Sequence, residues 1–199
     1  MNYLAHARLS FDDPAILTGN MISDFVKGKK KFEYPPDIQK GILLHRSIDN
    51  FTDTHEATRE AKEIFRPAYR LYSGAFVDVV YDHFLANDSH EFPPGSLESF
   101  TSEVYEVLQD QHQWLPLQFA LMFPHMRVHN WLLNYRTIEG IGKSFEGLVR
   151  RSTYLTEGRT ALELLTRHYQ LLQDCYRHFW VDMLVFARNE FEQLLSGNE

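Results

Sequence analysis

Apolar residues recur at three- and four-residue spacing through most of this chain, and sustained two-residue alternation is hard to find. That period belongs to helices with one face turned to a core. It predicts an all-α protein with helices over residues 2–10, 14–28, 37–52, 54–71, 75–87, 97–112, 116–136, 138–150 and 159–195. Asp13-Pro14 sets a capping residue before a proline suited to the first helical turn. Pro35-Pro36-Asp37 and Pro93-Pro94-Gly95-Ser96 read as loops followed by helix starts. Asp53, with Glu56 three residues on, has the spacing of a capping box, which keeps it out of the candidate site.

Two segments carry polar residues where a core is expected. In "DIQKGILLHRSIDNFTD", residues 37 to 53, a helical turn of ~100° per residue puts Ile38, Ile42, His45 and Asp49 in one narrow fan. Arg46 lies toward the wetter side, from which an arginine can curl toward a phosphate. In "AFVDVVYDHFLAND", residues 75 to 88, apolar side chains surround the helix almost completely. Such a helix is buried, so Asp78, Asp82 and His83 need hydrogen-bonding partners or a cation. With His6 on a third helix and Asp24 on a fourth, the pattern suggests a convergent cluster of imidazoles and carboxylates. Mixed histidine and aspartate donors suit divalent manganese, iron, zinc or magnesium. Such an ion acidifies water and neutralises phosphoryl charge, so phosphoester hydrolysis is the natural chemistry.

Taken singly, several of these residues have plainer readings. His6 is compatible with a satisfied core histidine, His45 and Asp49 with an ordinary helix pair, and Asp24 with a solvated residue. Three polar groups inside one apolar helix are harder to explain that way. His125, His129, His168 and His178 lie on amphipathic stretches without a matching carboxylate cluster and read as structural.

The 199 residues suit one domain, 1–199, and 44% hydrophobic and 14% aromatic content favours a packed core. One cysteine, Cys175, excludes an intrachain disulfide or a multi-cysteine zinc site and suits a reducing cytoplasm. No window approaches the ~20 apolar residues of a membrane helix, and the N-terminal segment has no signal-peptide pattern. A net charge of -7 argues against a general nucleic-acid binder. The expectation is a cytoplasmic protein with neither membrane nor nucleic acid as partner. Fingerprints of P-loops, dinucleotide folds, zinc proteases and serine nucleophile elbows are missing from the sequence.

Through "MNYLAHARLS", "GNMISDFVKG", "PPDIQKGILLHRSIDNFTD", "TREAKEIFRP" and "VDVVYDHFLA", and more loosely "WLLNYRTIEGI" and "GLVRRS", the chain resembles the acyl carrier protein phosphodiesterase family, which is related to the HD phosphohydrolases. The resemblance implies an HD-like helical fold and a metal-dependent enzyme, using manganese or else magnesium, iron or zinc. It would remove the 4'-phosphopantetheine arm from holo acyl carrier protein. Carried over, His6, Asp24, His45, Asp82 and His83 match the metal positions, and Arg46, Asp49 and Asp78 the catalytic surroundings. The histidine-aspartate dipeptide of the wider superfamily is absent; the adjacent pair here is the reversed Asp82-His83, which leaves ligand order and metal number open.

The densest cationic cluster, Lys27, Lys29, Lys30 and Lys31, follows the element carrying Asp24. Carrier proteins are small and strongly acidic, so these lysines read as a docking patch for the protein substrate, with Arg150 and Arg151 as a second basic spot. Two other readings compete: an HD-type phosphohydrolase of a nucleotide or small phosphoester, and a noncatalytic helical module binding an acidic protein.

Overall fold

The computed structural model describes residues 1–197, so the last two residues of the expected domain lie outside it. Among the described residues every regular element is helical: α1 (Tyr3–Arg8), α2 (Pro14–Ile22), α3 (Pro36–Thr54), α4 (Glu56–Tyr69), α5 (Ser73–Ala86), α6 (Ser96–Asp110), α7 (Leu117–Val128), α8 (Trp131–Asn134), α9 (Ile138–Arg151), α10 (Arg159–Arg167) and α11 (Tyr169–Ser196). Short 3₁₀ turns span Ser23–Phe25, Gly28–Glu33, Arg70–Tyr72 and His112–Trp114.

Local chemistry accounts for the starts. The Asp13 carboxylate accepts the N–H groups of Ala15 and Ile16 while Pro14 opens α2. Apolar residues around all of α5 make it the central helix, packed against α4, α1, α9 and α11. Its Phe76 stacks between Phe65 and Phe145, and Tyr81 lies on Phe179, so the largest buried rings form one connected core.

Helices α2 and α3 meet backbone to backbone at Gly19 and Gly41. A Cβ on Gly19 would overlap the Ile38 carbonyl oxygen, and one on Gly41 that of Ile16. Only glycine permits this approach. It brings Asn20, the residue after Gly19, against His45, one turn beyond Gly41.

Several predicted helices are interrupted. The helix expected over 14–28 stops at Ile22, tightens into the Ser23–Phe25 turn, and breaks at Val26 and Lys27, both extended, before Gly28 with a φ of +56 opens the next turn. The stretch 116–136 divides at Asn130, which has a φ of +42 and whose side chain accepts the Leu133 N–H. The stretch 159–195 divides at His168, with no proline or glycine to announce it. Asp53 is not a cap: α3 runs past it to Thr54, the ring of His55 caps α4, and Asp53 pairs with Lys62 at 2.7 Å. The i,i+3 spacing was met, but the turn between the helices falls two residues later.

Candidate metal centre

Four elements converge on one point. His6 comes from α1, Asn20 from α2, Asp24 from the turn that follows it, and His45 and Asp49 from successive turns of α3. The imidazoles of His6 and His45 stack with centroids 3.9 Å apart and planes 15° from parallel. His6 Nε2 lies 3.2 Å from Asp49 Oδ1, and His45 Nε2 lies 3.1 Å from Asp49 Oδ2 and 3.4 Å from Asp24 Oδ1. Both rings are buried, whereas the Asp24 side chain is 68% exposed and forms the open side.

The tautomers follow from Asn20. Its backbone carbonyl lies 2.7 Å from His45 Nδ1, and a carbonyl only accepts, so His45 carries a proton on Nδ1. The Asn20 amide nitrogen donates to the His6 carbonyl and to Ser10, which turns Oδ1 toward His6 Nδ1 at 2.7 Å; that nitrogen must also donate. In the neutral rings both lone pairs are therefore on Nε2, facing the carboxylates. Despite the short distances neither Nε2 is aligned for a hydrogen bond, and both are buried without a partner.

Two lone pairs and two carboxylates in one buried corner repel unless a proton or cation lies among them. Without metal a proton takes that place. Burial opposes a charged His45, but contacts with Asp24 and Asp49 outweigh it and raise the ring to about 9. Burial and the charge on His45 lower His6 to about 4, against the pull of Asp49. Asp49 is held well below the carboxylate range by His45 and His6, against its own burial, and Asp24 is lowered by contact with His45. A divalent ion fits the same place: His6, His45 and Asp49 each offer one donor atom, and the three donors lie within 4.8 Å of one another. Imidazoles oriented through Nδ1 with Nε2 free are how metal-ligating histidines are commonly supported.

The remaining residues separate. Asp49, expected among the catalytic surroundings, turns one oxygen to each histidine and completes the group of three donors. Asp78 borders the cluster through the Met1 amino nitrogen, which is 3.1 Å from Asp78 and 3.5 Å from Asp49. Asp82 does not join the donors. It is fully buried and accepts the backbone N–H groups of Leu4 at 2.7 Å, Ala5 at 3.3 Å and Asn2 at 3.4 Å, anchoring the start of α1. Burial raises its carboxyl to about 7, those N–H groups opposing. His83, one residue on, points elsewhere on the helix: Nδ1 donates to the Tyr135 carbonyl at 2.7 Å, and Nε2 meets the Tyr169 hydroxyl at 3.0 Å. Arg46 is exposed and donates to the Val26 carbonyl at 2.9 Å, tying α3 to the segment after Asp24.

Lys27, Lys29 and Lys30 are exposed and Lys31 is half-buried, along the Gly28–Glu33 turn. Arg150 and Arg151 are exposed in the last turn of α9. Burial raises the Tyr3 phenol to about 12, with Arg151 and Asp24 both close enough to act on it. Sequence reasoning missed Asn20, though its signal was available: it is a lone amide in the apolar run "PAILTGNMI".

The imidazole–carboxylate corner of this helical protein, its rings oriented by an amide behind them, has a donor arrangement that fits a divalent ion between helices. The family described as "Acyl carrier protein phosphodiesterase" matches residues 1–183, and the chain belongs to that family. Curated proteins named acyl carrier protein phosphodiesterase agree. The one from Enterobacter sp. (strain 638) is 34% identical over 195 residues, covering 96% of this chain and 99% of that protein. The one from Yersinia pestis is 31% identical over 191 residues, 96% and 99% of the respective chains. The one from Salmonella agona (strain SL483) is 33% identical over 192 residues, 94% and 97% of them. No solved structure matches the chain. Among the described residues no helix is long and apolar enough to cross a membrane.

Proposed function

We propose that this protein is a metal-dependent phosphodiesterase that hydrolyses the link between holo acyl carrier protein and 4'-phosphopantetheine, giving apo carrier protein and free 4'-phosphopantetheine. Full-length similarity to proteins named for that activity supports the substrate. The observation that carries the chemistry is the pair of buried, unpartnered Nε2 atoms of His6 and His45 facing Asp49.

His6, His45 and Asp49 would hold the ion, with Asp24 beside them; manganese is the choice within a donor set that also suits iron and zinc. When bound, such an ion lowers the pKa of a water and neutralises charge on a phosphoryl oxygen. Asp24, exposed and 3.4 Å from His45 Nε2, accepts the proton as water attacks phosphorus. The P–O bond to the carrier serine breaks, and the serine oxygen leaves as a hydroxyl, taking the proton that Asp24 accepted from the water. Arg151, exposed in the last turn of α9, would offer a cation to the non-bridging oxygens. Asn20 keeps both imidazoles in the required tautomer. Lys27, Lys29, Lys30 and Lys31 attract the acidic carrier, with Arg150 adding to the field.

Intact-mass spectrometry of holo carrier protein incubated with this protein and manganese tests the reading. Loss of the phosphopantetheine mass, abolished by chelator and by Asp49→Asn, is the expected result. An unchanged carrier mass with metal bound would move the search to small phosphoesters.

A further inference from the structure

Helix α7, "LQFALMFPHMRV", lies at the surface, with polar Gln118, His125 and Arg127 exposed on its flanks. Phe119, Phe123 and Met126 face the core, while Leu117, Leu121 and Val128 are 75%, 67% and 79% exposed. Their spacing, with exposed Pro124 between, forms one stripe along the outer face. An exposed apolar row of this kind marks an interaction surface.

The core face of α7, opposite the stripe, packs beside the metal centre. The Phe119 ring packs 5.5 Å from Phe25, the residue after Asp24, and 6.4 Å from Tyr3. Tyr34, at the end of the lysine-bearing turn, meets Trp114 just before α7 at 6.5 Å. Those two contacts bring the 27–32 segment alongside the first half of α7. Within that segment Phe32 is a second exposed apolar side chain, 66% exposed, with Lys31 Nζ 5.1 Å from its ring centroid.

The segments that form this surface are poor in carboxylates, with exposed Asp24 and Glu33 only at the ends of the lysine stretch. The chain carries 27 acidic residues in 199, yet residues 111–138 contain none, where the average density would place about four. Residues 25–32 contain none either, and hold four lysines. An apolar stripe beside a cationic edge, with carboxylates kept away, complements an acidic protein that presents apolar side chains.

We infer that Leu117 and Leu121 of α7, together with Phe32 and the lysines beside them, form the surface on which the acidic carrier protein docks, the apolar stripe supplying the anchor and the lysines the attraction. This rests on the functional reading above and adds the half of the interface that charge alone does not provide. Anchors of this kind carry most of an interface's energy, while exposed charges act mainly on association rate.

The test is Leu121→Glu, a change at an exposed position, with Val181→Glu, 65% exposed on α11, as the matched control. Binding of fluorescently labelled holo carrier protein is measured by anisotropy, and carrier turnover by mass spectrometry, after melting temperature and metal content confirm the fold of each variant. Leu121→Glu is expected to raise Kd and KM for the carrier by roughly tenfold or more, and Val181→Glu to leave both unchanged. An unaltered Kd in Leu121→Glu overturns the inference. So does loss of a dimer, or loss of co-sedimentation with anionic phosphatidylglycerol vesicles, in place of lost carrier binding. If the unsubstituted protein binds the carrier without cleaving it, the reaction falls and the docking surface stands; if it does not bind, both fall.

Discussion

Asn20 grips His6 at both ends: its Oδ1 lies 2.7 Å from the ring nitrogen Nδ1, and its Nδ2 donates to the His6 backbone carbonyl at 2.9 Å. One side chain thus fixes the position, rotation and tautomer of a ligand from another helix. Asn20→Ala leaves the His45 bond intact, because that uses the Asn20 backbone, and frees only His6. Divalent-metal affinity is expected to fall by about 10- to 100-fold with the helical content unchanged. Calorimetric titration with manganese measures the loss.

Two aspartates one residue type apart in appearance have opposite expected effects. Asp49 faces both imidazoles, so Asp49→Asn removes bound metal. Asp82 spends both oxygens on the backbone of α1, so Asp82→Asn keeps stoichiometric metal. Metal analysis of the two purified variants separates these roles.

Asp82 also gives a pH signature. Its folded carboxyl is raised to about 7, above the ordinary 3.8, so the folded state holds a proton that the unfolded state releases. The resulting stability is fully present below about 4 and is lost as pH rises through about 7. The difference in urea midpoint between the protein and Asp82→Asn is expected to shift across that window, by on the order of a few kcal/mol in free energy. A pH-independent difference would remove the linkage.

Metal and proton compete for the same corner. With His45 raised to about 9, the metal-free protein holds a proton there through neutral pH. That contribution to metal-free stability is fully present below about 6.5 and is lost as pH rises through about 9. Metal affinity runs the other way, rising about tenfold per unit up to about 9, and each ion bound releases about one proton. Calorimetry in buffers of different ionisation enthalpy reads that proton directly.

Gly41→Ala forces α2 and α3 apart, since its Cβ would meet the Ile16 carbonyl. Destabilisation of about 1–3 kcal/mol is expected, because the obstacle is backbone. The same shift withdraws Asn20 from His45, so metal affinity falls as well. Denaturant unfolding and metal titration of one preparation check both effects.

The sequence was most legible where one helix carried its own signal. The all-α period, the Asp13-Pro14 start and the burial of α5 depend on residues within a turn or two of each other. His45 and Asp49 were placed together for the same reason, being one turn apart on α3. The breaks at Asn130 and His168 were not legible from period alone, because apolar spacing continues through both and packing elsewhere decides where the chain turns.

The chain by itself determined which polar residues needed partners, since burying Asp82, His83 and His45 follows from the apolar residues around them, whereas Asp78 stays part-exposed. Only the tertiary structure decided which partners they received. Asp82 and His83 were satisfied by distant backbone and a tyrosine, through Leu4, Tyr135 and Tyr169, whereas His6 and His45 were left with unpartnered Nε2 atoms facing Asp49. The physical reason is that helical periodicity fixes direction about one axis alone. The meeting of α1, α2 and α3 depends on the crossing at Gly19 and Gly41, where backbones separated along the chain come into contact.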